Sequence, residues 1–220
     1  MLLSKKHNFI FIHIPKVAGQ SVTNALMPHA AMCWQRLLSP VIPYRYQLKA
    51  YTKLRKHTGI TFNPQPFHDH IEANEIVDRL GLDVFKSYYS FAFVRNPWAW
   101  ALSQYTYAVK NPRHTKHAFM KQFNDFDEYI RWHCKKDDSF YLQKSYVCDS
   151  NGTQLVNYIG KQEKLSEDFA HVCKNIGIGT TLPKFNVSRK SSYKDHYTND
   201  TKKLVETLYE EDIEYFKYSF

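Results

Sequence analysis

Two short stretches of the chain are almost entirely apolar, whereas the segments around them mix apolar and polar residues. Residues 9–14 read Phe-Ile-Phe-Ile-His-Ile, and residues 91–94 read Phe-Ala-Phe-Val. Short runs that are apolar on both faces are typical of buried parallel strands, which helices cover on either side. The pattern therefore predicts an α/β fold with a central parallel sheet flanked by helices.

Helical spacing of apolar residues, at intervals of three and four, dominates much of the remaining chain. Gly81 and Gly177 follow two of these segments as stop signals, and Asn96 before Pro97 is a strong helix start. Ser166 is predicted to cap another helix. The predicted helices cover residues 22–29, 71–80, 97–105, 126–134, 165–176 and 205–216.

Three other segments have less regular patterns. A turn at residues 149–152 lies between two short apolar runs, which predicts a hairpin or a pair of strands. Residues 30–66 and 110–145 are irregular or polar, and they are predicted to form two walls of a substrate cleft. Neither internal repeats nor low-complexity linkers interrupt the 220 residues. The sequence therefore predicts a single domain over residues 1–220.

Composition and charge narrow the functional classes. Lys and Arg number 30 against 21 Asp and Glu, a formal net charge of +9, which favours anionic partners such as nucleotides or polyanions. The four cysteines are scattered without metal-ligand spacing, as expected for free thiols in a reducing cytoplasm. No signal peptide is recognised, and no apolar run approaches the roughly 20 residues that span a bilayer. These features predict a cytoplasmic protein without a transmembrane segment, and they leave peripheral contact with a membrane open.

The segment after the first predicted strand has the features of an anion-binding turn. Pro15 ends the strand because its ring removes a backbone donor. Gly19 is predicted to allow tight backbone geometry, and Ser21 to cap the helix that follows. The N–H groups and the dipole at the start of that helix attract anions, and Lys16 adds a full positive charge. Because Lys16 precedes Gly19 and no glycine opens the loop, the segment differs from the Walker A loop of nucleotide triphosphatases.

A second anion site is predicted after the second apolar strand. Arg95 stands where a nucleotide triphosphatase would place an Mg²⁺-binding Asp. A guanidinium cannot bind a metal, but it can hold a phosphate through two hydrogen bonds. Ser103, about two helical turns further along, can add a hydroxyl donor. Two anion sites at two strand ends indicate a ligand with two separated anionic groups, and an ion pair at the end of the sheet is the alternative interpretation of Arg95.

These residues carry a family resemblance. Residues 13–21, which read His-Ile-Pro-Lys-Val-Ala-Gly-Gln-Ser, resemble the 5′-phosphosulfate loop of sulfotransferases, in the branch of carbohydrate sulfotransferases and their bacterial relatives. Residues 93–98, continued to Ser103, resemble the 3′-phosphate motif of that family. The similarity includes Gln143 and covers nearly the whole chain except the less regular parts of the two predicted walls. The resemblance implies a P-loop-like three-layer α/β sandwich with a central parallel sheet. It also implies 3′-phosphoadenosine 5′-phosphosulfate (PAPS) as co-substrate, no metal, and a hydroxyl group of a carbohydrate or glycoconjugate as acceptor.

The resemblance also implies roles for individual residues. Lys16 would contact the bridging oxygen of the phosphosulfate, and Arg95 with Ser103 would bind the 3′-phosphate. Arg189 and Tyr193 would close over the nucleotide. The chain departs from the family pattern where Gln20 replaces a common Thr and where Ala99-Trp100 replaces a frequent Asp-Arg pair. The other donor-binding positions of the loop are Val17, Ala18, Gly19, Gln20, Ser21 and Val22, of which the last four would donate N–H groups.

Sulfuryl transfer requires a base for the acceptor hydroxyl, and residues 68–70, His-Asp-His, supply the candidates. Histidine titrates near neutral pH, and in family members a histidine at this place faces the acceptor. His70 is the first choice and His68 the second, with Glu72 as the candidate if neither is required. His13, within the first strand, is expected to be structural.

Two other functions fit part of the sequence. The net charge, together with 16 Tyr and 15 Phe, also suits a non-enzymatic protein that binds polyanions or nucleic acid. A nucleotide-dependent kinase is disfavoured by the order of residues in the loop and by Arg95. The preferred interpretation is a PAPS-dependent sulfotransferase without a nucleic-acid partner, and the sequence specifies neither its acceptor nor its oligomeric state.

Overall fold

The structure is a computed structural model that describes residues 1–30, 67–135, 141–182 and 192–220. The chain divides into two compact units. The first consists of Met1–Phe93 and Tyr146–Lys184, and the second of Val94–Ser145 and Phe185–Phe220. The single domain over residues 1–220 stays a prediction.

A central sheet organises the first unit. Its strands are β1 (Leu2–Ser4), β2 (Phe9–Ile12), β3 (Tyr89–Val94) and β4 (Tyr158–Lys161), in the spatial order β1-β2-β3-β4. β2 and β3 are parallel, with Phe11 opposite Phe91, whereas β1 is antiparallel to β2. The α/β architecture predicted from the two apolar runs is therefore confirmed, and β1 adds an antiparallel strand that is too short to show periodicity in the sequence.

Helices make up much of the remaining described chain. In chain order they are α1 (Gly19–Ala30), α2 (Ala73–Leu80), α3 (Leu82–Lys86), α4 (Pro97–Lys110), α5 (His117–Met120), α6 (Phe126–His133), α7 (Leu165–Asn175), α8 (Asn199–Leu208) and α9 (Glu210–Phe216). Short 3₁₀ helices cover Lys144–Tyr146, Gln162–Lys164 and Tyr193–His196. The first unit contains α1 to α3 and α7, and the second contains α4 to α6, α8 and α9.

The core of the first unit lies on the two parallel strands. Every side chain of β2 is at most 1% exposed. The ring centroids of Phe9 and Phe11 lie 6.1 and 5.3 Å from that of Phe91. α1 is tied to the sheet where the buried Ser4 hydroxyl donates to the His29 carbonyl at 2.8 Å. Burial of these large apolar side chains stabilises β2, whose carboxyl end leads into the predicted anion-binding loop.

α4 is central to the second unit. The Asn96 side chain accepts hydrogen bonds from the N–H groups of Trp98 and Ala99 at 3.2 and 3.4 Å, so the predicted helix start is confirmed. The Trp98 indole donates to the Lys202 carbonyl at 3.0 Å, and the Tyr197 hydroxyl donates to the Trp98 carbonyl at 2.8 Å. These bonds hold the first turn of α4 against the C-terminal part of the same unit.

Two predicted helix caps are wrong. α1 begins at Gly19, so Ser21 lies inside its first turn. α7 begins at Leu165, so its N-cap position is Lys164, which makes no side-chain cap bond. The 3₁₀ turn Gln162–Lys164 runs directly into α7, which moves the start of the helix ahead of Ser166.

The predicted hairpin is reduced to a single antiparallel bridge between Cys148 and Gln154. The Asp149 side chain accepts the N–H groups of Asn151 and Thr153 at 2.9 and 2.8 Å and stabilises the turn between them. The next strand, β4, begins only at position 158 and joins the main sheet instead.

The predicted closing helix is divided at Tyr209 into α8 and α9. α8 begins earlier than predicted because Thr198 and Thr201 form a reciprocal capping box at its start. The second predicted wall contains α5 and α6. Residues 31–66, which form nearly all of the first predicted wall, lie outside the described residues.

Candidate active site

The loop between β2 and α1 has an uncommon backbone conformation. Lys16 and Ala18 have φ angles of 62° and 52°, in the left-handed region that residues with a Cβ rarely adopt. Gly19 was predicted to supply the tight geometry, but the left-handed residues are Lys16 and Ala18, which precede it. Left-handed residues within a turn direct successive N–H groups toward one side and create a concave anion-binding surface. Strained backbone of this kind is concentrated at functional sites.

The first turn of α1 adds further donors and the positive end of a 12-residue helix. The N–H groups of Ser21 and Val22 both donate to the Ala18 carbonyl, at 2.9 and 3.3 Å. The N–H groups of Gly19 and Gln20 precede these first bonds of the helix and are the better placed of the four predicted donors. The exposed Gln20 side chain donates to the Asn24 side chain at 3.4 Å, so its difference from Thr leaves the backbone donors in place.

Gly19 is required by a close neighbour. A Cβ atom added to Gly19 would lie 1.9 Å from the imidazole ring of His13, and real Cβ atoms essentially never approach another atom below 3.0 Å. His13 itself stacks on Phe11, with ring centroids 5.8 Å apart. Burial foremost, and then the nearby amino terminus and His70, lower the pKa of His13 from 6.5 to about 3. The His13 ring is therefore neutral near pH 7 and packs directly against the start of α1.

The two candidate bases are held differently. Nδ1 of His70 lies 2.8 Å from the main-chain carbonyl oxygen of His13, and the two imidazole centroids are 4.6 Å apart. The His70 residue is exposed. His68, whose side chain is 59% exposed, has its Nε2 4.0 Å from a carboxylate oxygen of Glu75. His70 is thus anchored to the end of β2, whereas His68 is paired with the partly exposed carboxylate of Glu75 on α2.

In the second unit, the main chain of Arg95 is held on both sides by one side chain. Its N–H donates to the Gln143 amide oxygen and its carbonyl accepts from the Gln143 amide nitrogen, each at 2.8 Å. The N–H groups of Gln143 and Lys144 both donate to the Asp212 carboxylate at 2.8 Å. Gln143 and Asp212 are fully buried, and burial raises the pKa of Asp212 from 3.8 to about 6 against the opposing effect of those N–H bonds. This arrangement fixes the backbone from which the half-buried Arg95 side chain extends.

The contacts that hold the Arg95 main chain, through Gln143 and Asp212, were only partly predictable from the sequence. Gln143 belongs to the stretch that resembles the family, but no periodicity or spacing identifies its contact with Arg95. Asp212 lies in a tail of mixed charge, and only its burial distinguishes it from the exposed Glu210 and Glu211 beside it.

α4 also carries Ser103, which is half-buried, and the positions that depart from the family pattern. Ala99 and Trp100 are 5% and 1% exposed, and the Trp100 ring packs edge-on against Tyr209 at a centroid distance of 5.6 Å. Apolar packing therefore occupies the two positions at which the family pattern frequently has Asp and Arg. Tyr193 begins a 3₁₀ helix, and its ring lies 5.6 Å from that of Phe220.

The predicted site residues fall into two groups. Lys16, the loop and both histidines belong to the first unit, where the structure brings His13, Gly19 and His70 into contact. Arg95, Ser103 and Tyr193 belong to the second unit. Arg189 lies outside the described residues. In the described ranges, no cluster of three or more His, Cys, Asp or Glu side chains suits a metal ion.

A search for membrane-spanning helices among the described residues finds none with the required length and apolar character.

Comparison with known proteins identifies the family. The model of the sulfotransferase family matches residues 1–219 of the chain. The chain is also similar to an uncharacterized protein of Archaeoglobus fulgidus, with 32% identity over 121 residues that cover 54% of this chain and 93% of that protein. The family match includes the loop after β2, the candidate histidines and Arg95. The chain belongs to the sulfotransferase family and is an enzyme that transfers sulfuryl groups, for which the family implies PAPS as co-substrate.

Proposed function

We propose that this enzyme transfers a sulfuryl group from PAPS to a hydroxyl group of a carbohydrate or glycoconjugate acceptor. The observation that carries the proposal is the loop after β2, in which the left-handed residues Lys16 and Ala18 lead into the start of α1. A doubly anionic phosphosulfate suits this combination of N–H donors, helix dipole and ammonium charge. No metal ion is part of this proposal, because the transferred sulfuryl group carries less charge than a phosphoryl group and needs less neutralisation.

Residues of each unit have a proposed role in donor binding. In the first unit, Lys16 and the N–H groups of Gly19 and Gln20 would hold the phosphosulfate. In the second, Arg95 and Ser103 would bind the 3′-phosphate, supported by the rigid main chain of Arg95 between Gln143 and α4. Tyr193, and Arg189 outside the described residues, would complete nucleotide binding. Val17, Ala18, Ser21 and Val22 would shape the loop, with Ser21 and Val22 already bonded to the Ala18 carbonyl.

PAPS supplies an activated sulfur atom with adenosine 3′,5′-bisphosphate as its leaving group. In the proposed step the acceptor oxygen forms a new S–O bond while the S–O bond to the 5′-phosphate breaks in line with it. His70 takes the hydroxyl proton on Nε2, and the departing phosphate oxygen retains the electron pair of the broken bond. The Lys16 ammonium stabilises the charge that develops there. His68 is the second candidate for the base.

Two features of the second unit support a carbohydrate acceptor. Phe119, Phe123 and Trp132 are half-buried, and their ring centroids lie 4.9 to 5.4 Å apart. Aromatic faces of this kind can pack against the apolar faces of sugar rings. The segment 94–124 of this unit contains five Lys or Arg and neither Asp nor Glu, which favours anionic donors and acceptors. A cytoplasmic location is part of the proposal, in keeping with the free thiols of Cys134, Cys148 and Cys173.

Transfer of labelled sulfate from PAPS to a panel of neutral and acidic glycans tests this function. We expect at least one glycan to be labelled by the wild-type enzyme. Lys16→Ala should lower kcat by about 10²-fold or more, as loss of a transition-state cation does. Lys203→Ala, at an exposed lysine of α8, is the matched control and should keep full activity. Labelling of protein or small phenolic acceptors alone would contradict the carbohydrate assignment, and an unchanged kcat in Lys16→Ala would contradict the role of the loop.

A further inference from the structure

The hydrogen bond between His70 and the His13 main chain determines where the His70 proton lies. A carbonyl oxygen has no proton to give, so at 2.8 Å the His70 Nδ1 must be the donor. In a neutral imidazole only one nitrogen carries a proton, and Nε2 is then left with its lone pair. A residue that takes a proton needs this lone pair, so the bond selects the form of His70 that can act as a base at Nε2.

The acceptor of this bond is unusually well fixed. His13 directly follows Ile12, the last residue of β2, and both Phe11 and Ile12 are at most 1% exposed in the sheet core. The His13 ring is stacked on Phe11 and meets the His70 ring nearly edge-on, with an interplanar angle of 61°. The carbonyl and the ring of one residue therefore contact the same imidazole from the end of a buried strand.

The His13 ring also contacts the loop. Its Cδ2 and Nε2 atoms lie 1.9 Å from the position that a Gly19 Cβ would occupy, so they rest on the Gly19 backbone itself. The ring fills the space between the start of α1 and His70. Any side chain at position 19 would displace it toward His70 or away from Phe11.

We propose that His13 is a positioning residue, which holds His70 in the Nδ1–H tautomer through its carbonyl and keeps His70 in register with the anion-binding loop through its ring. This inference deepens the proposed role of His70 as the base and rests on it. His13 takes no part in bond making or proton transfer. The contact with His13 also distinguishes His70 from His68. The anchored nitrogen of His70 is Nδ1, whereas the His68 nitrogen nearest Glu75 is Nε2.

Long-range ¹H–¹⁵N correlation spectra of protein labelled with ¹⁵N-histidine test the proposal near pH 8 without any substrate. His70→Gln identifies the His70 signals by their loss. We expect the wild-type His70 signals to show a protonated Nδ1 and an unprotonated Nε2, whereas an unanchored histidine in water favours the Nε2–H tautomer. A wild-type His70 with its proton on Nε2 would overturn the proposal, whatever the enzyme's activity.

Variants of His13 test the role of the ring. His13→Phe keeps a flat ring and the carbonyl, and should keep the Nδ1–H signature. His13→Ala keeps the carbonyl but removes the ring that packs against His70. It should therefore loosen the bond to the carbonyl, shift part of the His70 population toward the Nε2–H tautomer, and lower kcat by less than the about 10²–10⁴-fold expected for losing a base outright. Gly179→Ala, at a glycine with open space around it, is the control for both measurements. An unchanged His70 signature in folded His13→Ala would overturn the role of the ring.

The spectra and the transfer assay separate two failures. An Nδ1–H tautomer in a protein that transfers no sulfate from PAPS would sustain the positioning by His13 and overturn the proposed reaction. Sulfate transfer from PAPS by a protein whose His70 carries its proton on Nε2 would sustain the proposed reaction and overturn the positioning by His13.

Discussion

Asp212 is fully buried, and its carboxylate accepts the main-chain N–H groups of Gln143 and Lys144 at 2.8 Å each. Through Gln143 it supports the backbone of Arg95. Burial raises its pKa to about 6 from an ordinary 3.8. Between these two pH values the folded chain retains a proton that the unfolded chain has released. The contribution of Asp212 to folding stability is therefore largest below pH 3.8 and falls as the pH rises to about 6.

Asp212→Asn should remove this pH dependence. An amide also has only one acceptor oxygen for two N–H groups, so the variant should be less stable by about 1–3 kcal/mol near pH 4. The difference in unfolding free energy between wild type and variant should shrink from pH 4 to pH 6, as measured by urea unfolding followed by tryptophan fluorescence. The exposed Glu206→Gln on α8 is the charge-matched control. A difference that grows with pH would mean that the two N–H bonds, and not burial, dominate the pKa of Asp212.

At the residue level, the sequence predicted which chemical groups the candidate site contains better than it predicted the contacts between them. Lys16 and Arg95 follow two recognisable strands, so their neighbourhood could be anticipated from strand ends and helix starts. The contact of Gly19 with His13 joins residues six positions apart across a non-regular loop. The hydrogen bond from the Gln143 N–H to the Asp212 carboxylate joins residues 69 positions apart in the chain. No helical or strand repeat relates residues at either of these separations, so the sequence alone could not predict either contact.

Packing of α7 against β4 depends on a glycine in the strand. A Cβ on Gly160 would lie 2.6 Å from two ring carbons of Phe93 and 3.0 Å from Cβ of Asp168. Phe93 is 1% exposed and cannot move outward without opening the core. The Asp168 carboxylate also accepts the Tyr158 hydroxyl and the Lys161 N–H, at 2.9 and 2.6 Å, which locks α7 to both ends of β4.

Gly160→Ala should therefore destabilise the protein by about 1–3 kcal/mol, the usual cost of overpacking a filled core. Gly179→Ala is the matched control, because open space surrounds that position, and it should change stability by no more than about 0.5 kcal/mol. Chemical unfolding of the two variants and the wild type measures both values. Equal stability of the two variants would show that β4 and Phe93 separate readily.

Elements with strong local signals were predictable, and those that depend on tertiary contacts were not. The apolar runs of β2 and β3 and the Asn96-Pro97 start of α4 are local, and all three are confirmed. The left-handed conformation of Lys16 and Ala18 is imposed on residues that disfavour it, so the sequence pointed to Gly19 instead. The predicted hairpin failed because β4 finds its hydrogen-bonding partner in the main sheet.

For the molecule as a whole, the family assignment and the net charge of +9 agree with a strongly anionic co-substrate. The central claim is that this co-substrate is PAPS, with its 3′-phosphate bound by Arg95 and Ser103. Adenosine 3′,5′-bisphosphate and adenosine 5′-monophosphate differ only in that 3′-phosphate. Comparing them tests the claim without knowledge of the acceptor.

Titration calorimetry of the wild-type enzyme with the two nucleotides is the most direct test. A bidentate charge-assisted contact and a hydroxyl bond should favour the bisphosphate by roughly 2–4 kcal/mol, or about 30- to 1000-fold in affinity. Arg95→Ala should remove most of this preference, whereas Arg113→Ala, at an exposed arginine of the same unit, should retain it. A chelator should leave binding unchanged. Equal affinity of the wild-type enzyme for the two nucleotides would contradict the assignment of PAPS as the donor.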